Sequence, residues 1–271
     1  MQNVELYSKN NNCQKSASRK FYNYFGDLLK AEFKNQEISL IDVGSGCGTI
    51  LSEVTVGESG LKFAKIFGVD KSEKMVNFAS ETYGSDLMSF RYMDVIDKIP
   101  DDLMSEQFDM VTSFYCLHHV RDLKKAFETI NGLLAVNGLF GCVFFTWHTF
   151  ITAWDALTEK YPVMSNWRNR FTPLFAVDNP DEIIKNNLSE SGFEIVKFID
   201  DRNEFYNFSV PENMAKTLDA INPFFTSMSE EEQKQFSKDQ MSKIFELQKS
   251  ESLVEPFRVI YFVARKTKTC C

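Results

Sequence analysis

The chain has 271 residues, 44% of them hydrophobic, which is enough for one large domain with a sizeable core. Its net charge is −8 at pH 7 without a prominent basic cluster, which argues against a nucleic-acid substrate, because phosphate contacts need lysine and arginine. No apolar run approaches the roughly 20 residues of a membrane span, and the polar N-terminus lacks the apolar core of a signal peptide. The six cysteines are scattered without zinc-like spacing, so we expect free thiols in a cytoplasmic protein. The terminal Cys270-Cys271 pair is not a prenylation box and is predicted to be a frayed tail.

Residues 1–36 predict an N-terminal cover helix. Phe21, Phe25 and Leu29 recur at helical spacing, and the segment precedes the first predicted strand, so it can cover a ligand cleft. Gln14 lies near the start of this helix. Its position alone favours a solvated side chain on a helix surface.

A glycine loop follows the first predicted strand, residues 38–43. The loop reads G-x-G-x-G over residues 44–48 and leads into a helix pattern from Thr49, whereas dinucleotide-binding enzymes have G-x-G-x-x-G. The strand-end acid Asp42 indicates a cationic group in the ligand. A ligand with an ammonium group and no pyrophosphate is S-adenosylmethionine, which is the predicted cofactor. An ordinary strand-to-helix turn is the alternative.

Acidic residues end the next two predicted strands, residues 65–69 and 88–93. Asp70 lies about 20 residues beyond the loop, the distance at which a second-strand carboxylate holds two ribose hydroxyls. A capping role beside Ser72 is the compatible alternative. Asp94 can accept a hydrogen bond from the adenine amino group, although several acids nearby make a simple loop carboxylate the alternative.

The fourth predicted strand, residues 108–114, runs into a loop that contains two adjacent histidines. Loops at the carboxyl ends of parallel strands build the site of an open sheet, so we expect the end of this strand and the histidines to face the cofactor cleft. A helix over residues 122–136 and a fifth strand over 139–145 follow. The predicted cofactor-binding residues are Asp42, Gly44, Ser45, Gly46, Asp70, Lys71, Asp94, Val95, Ser113, Phe114 and His118.

Two inserts then interrupt the regular alternation, and the last strands are predicted at residues 192–199 and 257–264. Residues 147–190 are rich in aromatic side chains, and residues 203–253 contain a helical stretch, so together they predict a lid that excludes water. The predicted fold is a single α/β domain, residues 1–271, with a seven-stranded, mostly parallel sheet and helices on both faces. Its cofactor-binding half spans residues 37–146.

The sequence resembles the insect juvenile hormone acid methyltransferases over nearly its whole length. The resemblance rests on Leu6-Tyr7 and Gln14, on LIDVGSG at 40–46, on SFYCLH at 113–118 and on Asn222-Pro223-Phe224. It implies a Rossmann-like class I methyltransferase fold. It also implies a cytosolic enzyme that uses S-adenosylmethionine to methylate the carboxylate of farnesoic acid or its epoxide.

One residue departs from the family pattern, because His119 stands where the family usually has a carboxylate-binding Trp. A neutral imidazole also offers an N–H donor, but it is smaller, so the pocket changes shape. A metal site with His118 and His148 is not expected, since adjacent histidines on a strand point in opposite directions. The predicted substrate-binding residues are Tyr7, Gln14, His119, Trp147 and Phe150, of which Gln14 and His119 are predicted to be catalytic.

The expected partner is a small apolar carboxylic acid, without nucleic acid or a membrane span, and the expected assembly is a monomer or homodimer. Two alternatives stay open: a methyltransferase for another small acceptor, and a cofactor-binding family member that has lost turnover.

Overall fold

Seven strands form one sheet in the described part of the chain. The computed structural model describes residues 3–34 and 36–267, so Cys270-Cys271 lies outside the described residues. The strands are β1 (Glu37–Val43), β2 (Lys62–Asp70), β3 (Met88–Tyr92), β4 (Phe108–Phe114), β5 (Leu134–His148), β6 (Phe193–Asn207) and β7 (Val254–Lys266). Their order is β3-β2-β1-β4-β5-β7-β6, and β7 runs antiparallel to β5 and β6 while the other neighbours are parallel.

Helices connect the strands and cover the sheet. Within the described residues the α-helices are α1 (Val4–Lys9), α2 (Asn12–Phe33), α3 (Glu73–Tyr83), α4 (Asp101–Met104), α5 (Leu123–Leu133), α6 (Thr149–Leu157), α7 (Pro180–Glu190), α8 (Pro211–Ile221) and α9 (Glu230–Gln248). A π-helix, Ile50–Val56, follows the glycine loop, and a 3₁₀ turn, Leu117–His119, follows β4. None of the described helices combines the length and apolar character needed to cross a membrane.

The sheet is buried on both faces, which explains the continuous apolar runs of its central strands. Phe21 and Phe25 of α2 pack on one face, and Phe127 of α5 and Ile184 of α7 pack on the other. All four side chains are fully buried. Parallel strands between two helical layers have this composition, and the predicted α/β fold with a seven-stranded, mostly parallel sheet is confirmed.

Two strands are longer than the sequence predicts. β5 begins at Leu134, where a helix was predicted, and continues to His148, whose backbone lies opposite Phe257 of β7. β6 continues to Asn207, opposite Val254. Pairing with a distant strand extends both elements, and no local pattern reveals it. The inserts therefore begin later than predicted, and residue 147 belongs to the sheet.

Three helices of the inserts are joined by a partly buried polar network. The indole N–H of Trp154 in α6 donates to Gln240 of α9, with 3.1 Å between the heavy atoms. The Gln240 amide in turn donates to Asp219 of α8 at 2.7 Å, and the Ser237 hydroxyl donates to the same carboxylate at 2.8 Å. The two inserts, which are predicted to form a lid, are thus joined by one polar network.

Candidate functional site

The glycine loop turns tightly at the end of β1. Gly44 and Gly46 have φ angles of +80° and +55°, a region that glycine occupies without strain. A Cβ atom at Gly44 would lie 2.1 Å from the Cys116 sulfur, so only glycine fits there. The backbone N–H groups of Gly44 and Ser45 donate to the Val69 carbonyl at 2.7 and 3.0 Å. These contacts hold the loop against the end of β2.

Asp70 lies at the end of β2, next to the glycine loop. Its carboxylate accepts the backbone N–H of Gly46 at 3.0 Å and that of Ser72 at 2.9 Å. Burial raises the pKa of Asp70, and these two hydrogen bonds oppose the rise. Ser72 itself caps α3 through its hydroxyl. Two carboxylate oxygens offer about four acceptor positions, so the carboxylate retains capacity for ligand hydroxyls.

Asp42 is a buried acid without a cationic partner among the described residues. The Thr112 hydroxyl donates to its carboxylate at 2.6 Å, and burial raises the pKa of Asp42 to about 7. Nearby in the loop, the Ser45 hydroxyl oxygen is buried and has no hydrogen-bond partner. A buried acid and a spare hydroxyl beside the loop fit a ligand with an ammonium group, such as S-adenosylmethionine.

The end of β3 supplies a second acid near the loop. The Lys71 ammonium lies 3.9 Å from the Asp94 carboxylate, which also accepts the backbone N–H of Ile96 at 3.3 Å. Val95 beside it is buried. Asp70 and Asp94 therefore end neighbouring strands, as the sequence predicts for the two acids of a nucleoside site.

The side chains at the end of β4 make contacts in the protein interior, and their contact with the cofactor stays a prediction. The Ser113 hydroxyl donates to the Val43 carbonyl at 2.8 Å, and the Phe114 ring packs against Phe21 at 4.8 Å, so both side chains serve the core. The next residue, Tyr115, has a φ angle of +54° and turns its side chain into a neighbouring cavity. Tyr115 was not predicted as a site residue, because no local sequence pattern indicates that a tyrosine adopts a positive φ angle.

An apolar cavity of about 50 Å³ lies beside the glycine loop. It is lined by Tyr7, Cys13, Gln14, Tyr115, His118, His119, Phe145, His148, Phe150, Phe171, Phe208, Thr217, Leu218, Ile221 and Phe257. Four of the five predicted substrate residues are among them. Trp147 is not, and its side chain is 39% exposed. His118, predicted for the cofactor cleft, lies in this cavity.

The polar groups of the cavity are neutral and incompletely paired. Gln14 is only 6% exposed, so the solvated side chain expected from its position alone is wrong. Its amide oxygen and His118 Nδ1 are buried without hydrogen-bond partners. Burial lowers the pKa of His119 to about 3 and that of His118 well below its usual value. Both imidazoles are therefore uncharged at neutral pH.

The two adjacent histidines lie in a 3₁₀ turn and not on a strand. Their rings are 4.3 Å apart, and both line the cavity, so the strand-alternation argument against a shared site was wrong. Even so, no group of three or more His, Cys, Asp or Glu side chains in the described residues is arranged to hold a metal ion.

Helix α1 connects the glycine loop with the cavity. A Cβ atom at Gly46 would lie 3.7 Å from the Tyr7 ring, and Tyr7 also lines the cavity. Tyr7 packs with Cys47 of the loop and Ala220 of α8. A hydrogen bond from the Thr217 hydroxyl to the Asn10 carbonyl, 3.2 Å long, joins α8 to the cover segment. The N-terminal cover segment thus lies next to both the glycine loop and the cavity.

The sheet order, the glycine loop after β1 and the acids at the ends of β2 and β3 define a class I, S-adenosylmethionine-dependent methyltransferase. Residues 34–246 match the family model described as a methyltransferase domain, and the chain belongs to that family.

Relatives extend over most of the chain. It is 27% identical to the juvenile hormone acid O-methyltransferase of Drosophila melanogaster, covering 98% of this chain and 93% of that protein. It is 29% identical to the enzyme of the same name from Bombyx mori, covering 83% of this chain and 80% of that protein. The family resemblance indicated by the sequence motifs is thereby confirmed.

Solved structures share the fold at low identity. The YcgJ protein of Bacillus subtilis has a TM-score of 0.55 and 15% identity, covering 91% of this chain and 99% of that chain. A phosphoethanolamine N-methyltransferase of Haemonchus contortus, solved with S-adenosylhomocysteine, has a TM-score of 0.51 and 19% identity, covering 91% and 53%. The cofactor of this family is S-adenosylmethionine, as the glycine loop predicts.

Proposed function

We propose that this methyltransferase esterifies the carboxylate of a small apolar acid, of the farnesoic acid or juvenile hormone acid type. The observation that carries the proposal is the aromatic cavity, in which the buried Gln14 amide, with an NH2 group that can donate, lies among the lining residues with two uncharged imidazoles. Gln14 and His119, with His118, are proposed to orient the carboxylate. The names of the two insect relatives agree with this substrate class.

The electrostatics of the cavity favour a carboxylate over an alcohol or amine. A carboxylic acid is already ionised at neutral pH, so its methylation needs no general base. An alcohol needs a base poised near the working pH. Burial instead holds the pKa of His119 at about 3 and lowers that of His118 far from this range. Both histidines are poor bases but adequate hydrogen-bond donors.

The chain's own residues act by alignment and by exclusion of water. S-adenosylmethionine, when bound, supplies a methyl group on a positively charged sulfur. Gln14 and His119 hold one carboxylate oxygen in line with that methyl group, which removes much of the entropic part of the barrier. Neutral donors suit this task, because a tightly bound cation would weaken the nucleophile. Phe145, Phe150 and Phe171 line the cavity and keep water from the reacting oxygen.

Labelled methyl transfer tests the proposal directly. The acceptors are farnesoic acid and straight-chain fatty acids, each paired with the alcohol of the same carbon skeleton, together with a polar amine and an oligonucleotide. We expect methyl esters from the acids and no transfer to the other acceptors. Activity restricted to the amine or the oligonucleotide would overturn the proposal. Cofactor binding without transfer to any acceptor would favour a member that has lost turnover.

We propose a cytoplasmic location for this reaction. The support is the free state of four cysteines in the described residues, Cys13, Cys47, Cys116 and Cys142, since free thiols persist in a reducing compartment.

A further inference from the structure

A groove of about 660 Å³ lies between α1, α8 and α9. It shares no lining residue with the cavity beside the glycine loop. Helix α8 separates the two spaces, because Thr217 and Leu218 line the cavity whereas Asp219 and Ala220 line the groove. Small-molecule sites in proteins have volumes of roughly 300–1,000 Å³. The groove is therefore large enough for a ligand of its own.

Part of the groove is apolar. Leu6 of α1, Ala220 of α8 and Phe225, which follows α8, are among its lining residues. Leu6 and Phe225 are only partly buried, so they keep apolar surface exposed in the groove. A ligand with an apolar group would remove this surface from water.

Asp219 supplies the groove with an acidic group that lacks a cationic partner. Its half-buried carboxylate accepts hydrogen bonds from Ser237 at 2.8 Å and from Gln240 at 2.7 Å, which are both neutral donors. No Lys, Arg or His side chain of the described residues lies within 4 Å of it. Burial raises the pKa of Asp219 to about 6, so the carboxylate is mostly ionised at neutral pH. An ammonium group of a ligand would compensate this charge.

Two cationic groups line the same groove from α9. Lys234 and Lys238 are one helical turn apart, and neither ammonium lies within 4 Å of a carboxylate among the described residues. Ser237, which donates to Asp219, is next to Lys238 in the chain and three residues after Lys234. Residues three apart on a helix have Cβ atoms roughly 5–6 Å apart. The groove thus holds opposite charges close to each other without joining them in an ion pair.

The charges of the groove balance, because Asp219 and Glu230 oppose Lys234 and Lys238. A purely anionic ligand would bring its charge close to Asp219. A purely cationic ligand would bring its charge close to the two lysines. A small molecule with both charges complements both sides of the groove.

We propose that the groove binds an α-amino acid with an apolar side chain. Its ammonium group pairs with Asp219, its carboxylate pairs with Lys234 and Lys238, and its side chain packs on Leu6 and Phe225. The ligand would join the cover segment to α8 and α9. This site is separate from methyl transfer and does not depend on the identity of the methyl acceptor.

Calorimetry with phenylalanine tests the site. The protein is first saturated with S-adenosylhomocysteine, because the cofactor site itself accepts an amino-acid group. The matched ligands are N-acetylphenylalanine, which lacks the ammonium group, and phenylalaninamide, which lacks the carboxylate. We expect phenylalanine to bind with a Kd below about 1 mM, and each analogue to bind at least about tenfold more weakly because one charged contact is lost.

Variants assign each charge of the ligand to its partner. The double variant Lys234→Gln, Lys238→Gln changes two exposed side chains, so it should fold, and it should bind phenylalanine no better than phenylalaninamide. Asp219→Asn should bind phenylalanine no better than N-acetylphenylalanine, and its melting temperature checks its fold. Lys243→Gln is the matched control on α9, since Lys243 pairs with Glu246 at 2.9 Å outside the groove. The control should bind phenylalanine as the wild type does.

Three results would overturn the proposal. The first is the absence of phenylalanine binding to the wild type at concentrations up to about 10 mM. The second is equal affinity of the wild type for phenylalanine and its two analogues. The third is an unchanged affinity for phenylalanine in the double lysine variant.

Discussion

The Asp70 carboxylate shapes the glycine loop by accepting the backbone N–H of Gly46, and it is also predicted to hold the ribose of the cofactor. We predict that Asp70→Ala weakens S-adenosylmethionine binding by tenfold or more, since hydrogen bonds to a charged group are worth roughly 1.5–3 kcal/mol. Calorimetry measures the affinity. Asp97→Ala, which removes an exposed acid after β3, is the matched control and should bind normally. An unchanged affinity of Asp70→Ala would show that the carboxylate does not hold the cofactor.

Gln14 is proposed to align the substrate and not to contact the cofactor. Its side chain is buried and lines the cavity, where its NH2 group can donate to a carboxylate. We predict that Gln14→Ala lowers kcat by ten- to about a hundredfold, because misalignment at the reacting oxygen slows transfer. The affinity for S-adenosylmethionine, measured by calorimetry, should change by less than about twofold. Loss of cofactor binding in step with turnover would contradict this separation.

His119 is the residue that sets this chain apart from the family pattern. Its ring lies 4.9 Å from Phe171, so a larger indole at this position would press on the lid side of the cavity. If His119 serves only as an N–H donor, His119→Trp should preserve or raise activity on farnesoic acid while the cofactor affinity stays unchanged. Loss of the native activity in His119→Trp would indicate a different substrate. Full activity of His119→Ala on every acid would show that His119 packs in the turn and binds no carboxylate.

At the scale of the elements, the glycine loop depends on close contact with the turn after β4. We predict that Gly44→Ala abolishes cofactor binding and lowers the melting temperature, because the new Cβ would meet Cys116 at 2.1 Å and the φ angle of +80° is strained for alanine. Gly26→Ala in α2 is the matched control, since nothing lies within 4 Å of its added Cβ. The control should raise stability by about 0.5–1 kcal/mol. Normal cofactor affinity in Gly44→Ala would contradict the predicted close packing.

The sequence predicts elements well where the signal is local. Apolar runs and turn residues place all the strands of the sheet, and the glycine loop with Asp70 identifies the cofactor. The lengths of elements that depend on pairing with distant segments cannot be predicted from local sequence patterns. β5 and β6 are lengthened by pairing with β7, which lies far away in the sequence.

In the candidate site, too, some features could be predicted from the sequence and others could not. Tyr7, Gln14, His119 and Phe150 were predicted for the substrate through the family resemblance, and the structure brings them together in one cavity. Their burial could not be predicted, because it arises where the cover helices meet the lid. The sequence marks His148 only as a candidate metal ligand, because Glu255, whose carboxylate lies 3.5 Å from its Nε2 atom, is more than a hundred residues away.

At the scale of the whole molecule, the lid network links α6, α8 and α9 to the walls of the cavity. Asp219 lies on α8, which also supplies Thr217, Leu218 and Ile221 to the cavity. Gln240 connects this acid to Trp154, whose ring packs on Phe150 at 4.8 Å. The protonation state of Asp219 should therefore affect the stability of the insert helices that form walls of the cavity.

Asp219 gives the last prediction, which concerns the pH dependence of stability. Burial raises its pKa from 3.8 to about 6, although Ser237 and Gln240 donate hydrogen bonds to it. The folded protein thus holds this proton more tightly than the unfolded chain does. The contribution of Asp219 to stability is complete below pH 3.8 and is lost as the pH rises through about 6.

Asp219→Asn removes this titration and keeps the size of the side chain. Relative to the variant, the free energy of unfolding of the wild type should fall by about 1.4 kcal/mol between about pH 5 and pH 7.5, which corresponds to one pKa unit. Urea unfolding at both pH values measures the difference. The control Asp97→Asn, at an exposed acid, should give a curve parallel to that of the wild type. Parallel curves for wild type and Asp219→Asn would show that this half-buried acid titrates at its ordinary pKa and does not couple the lid to pH.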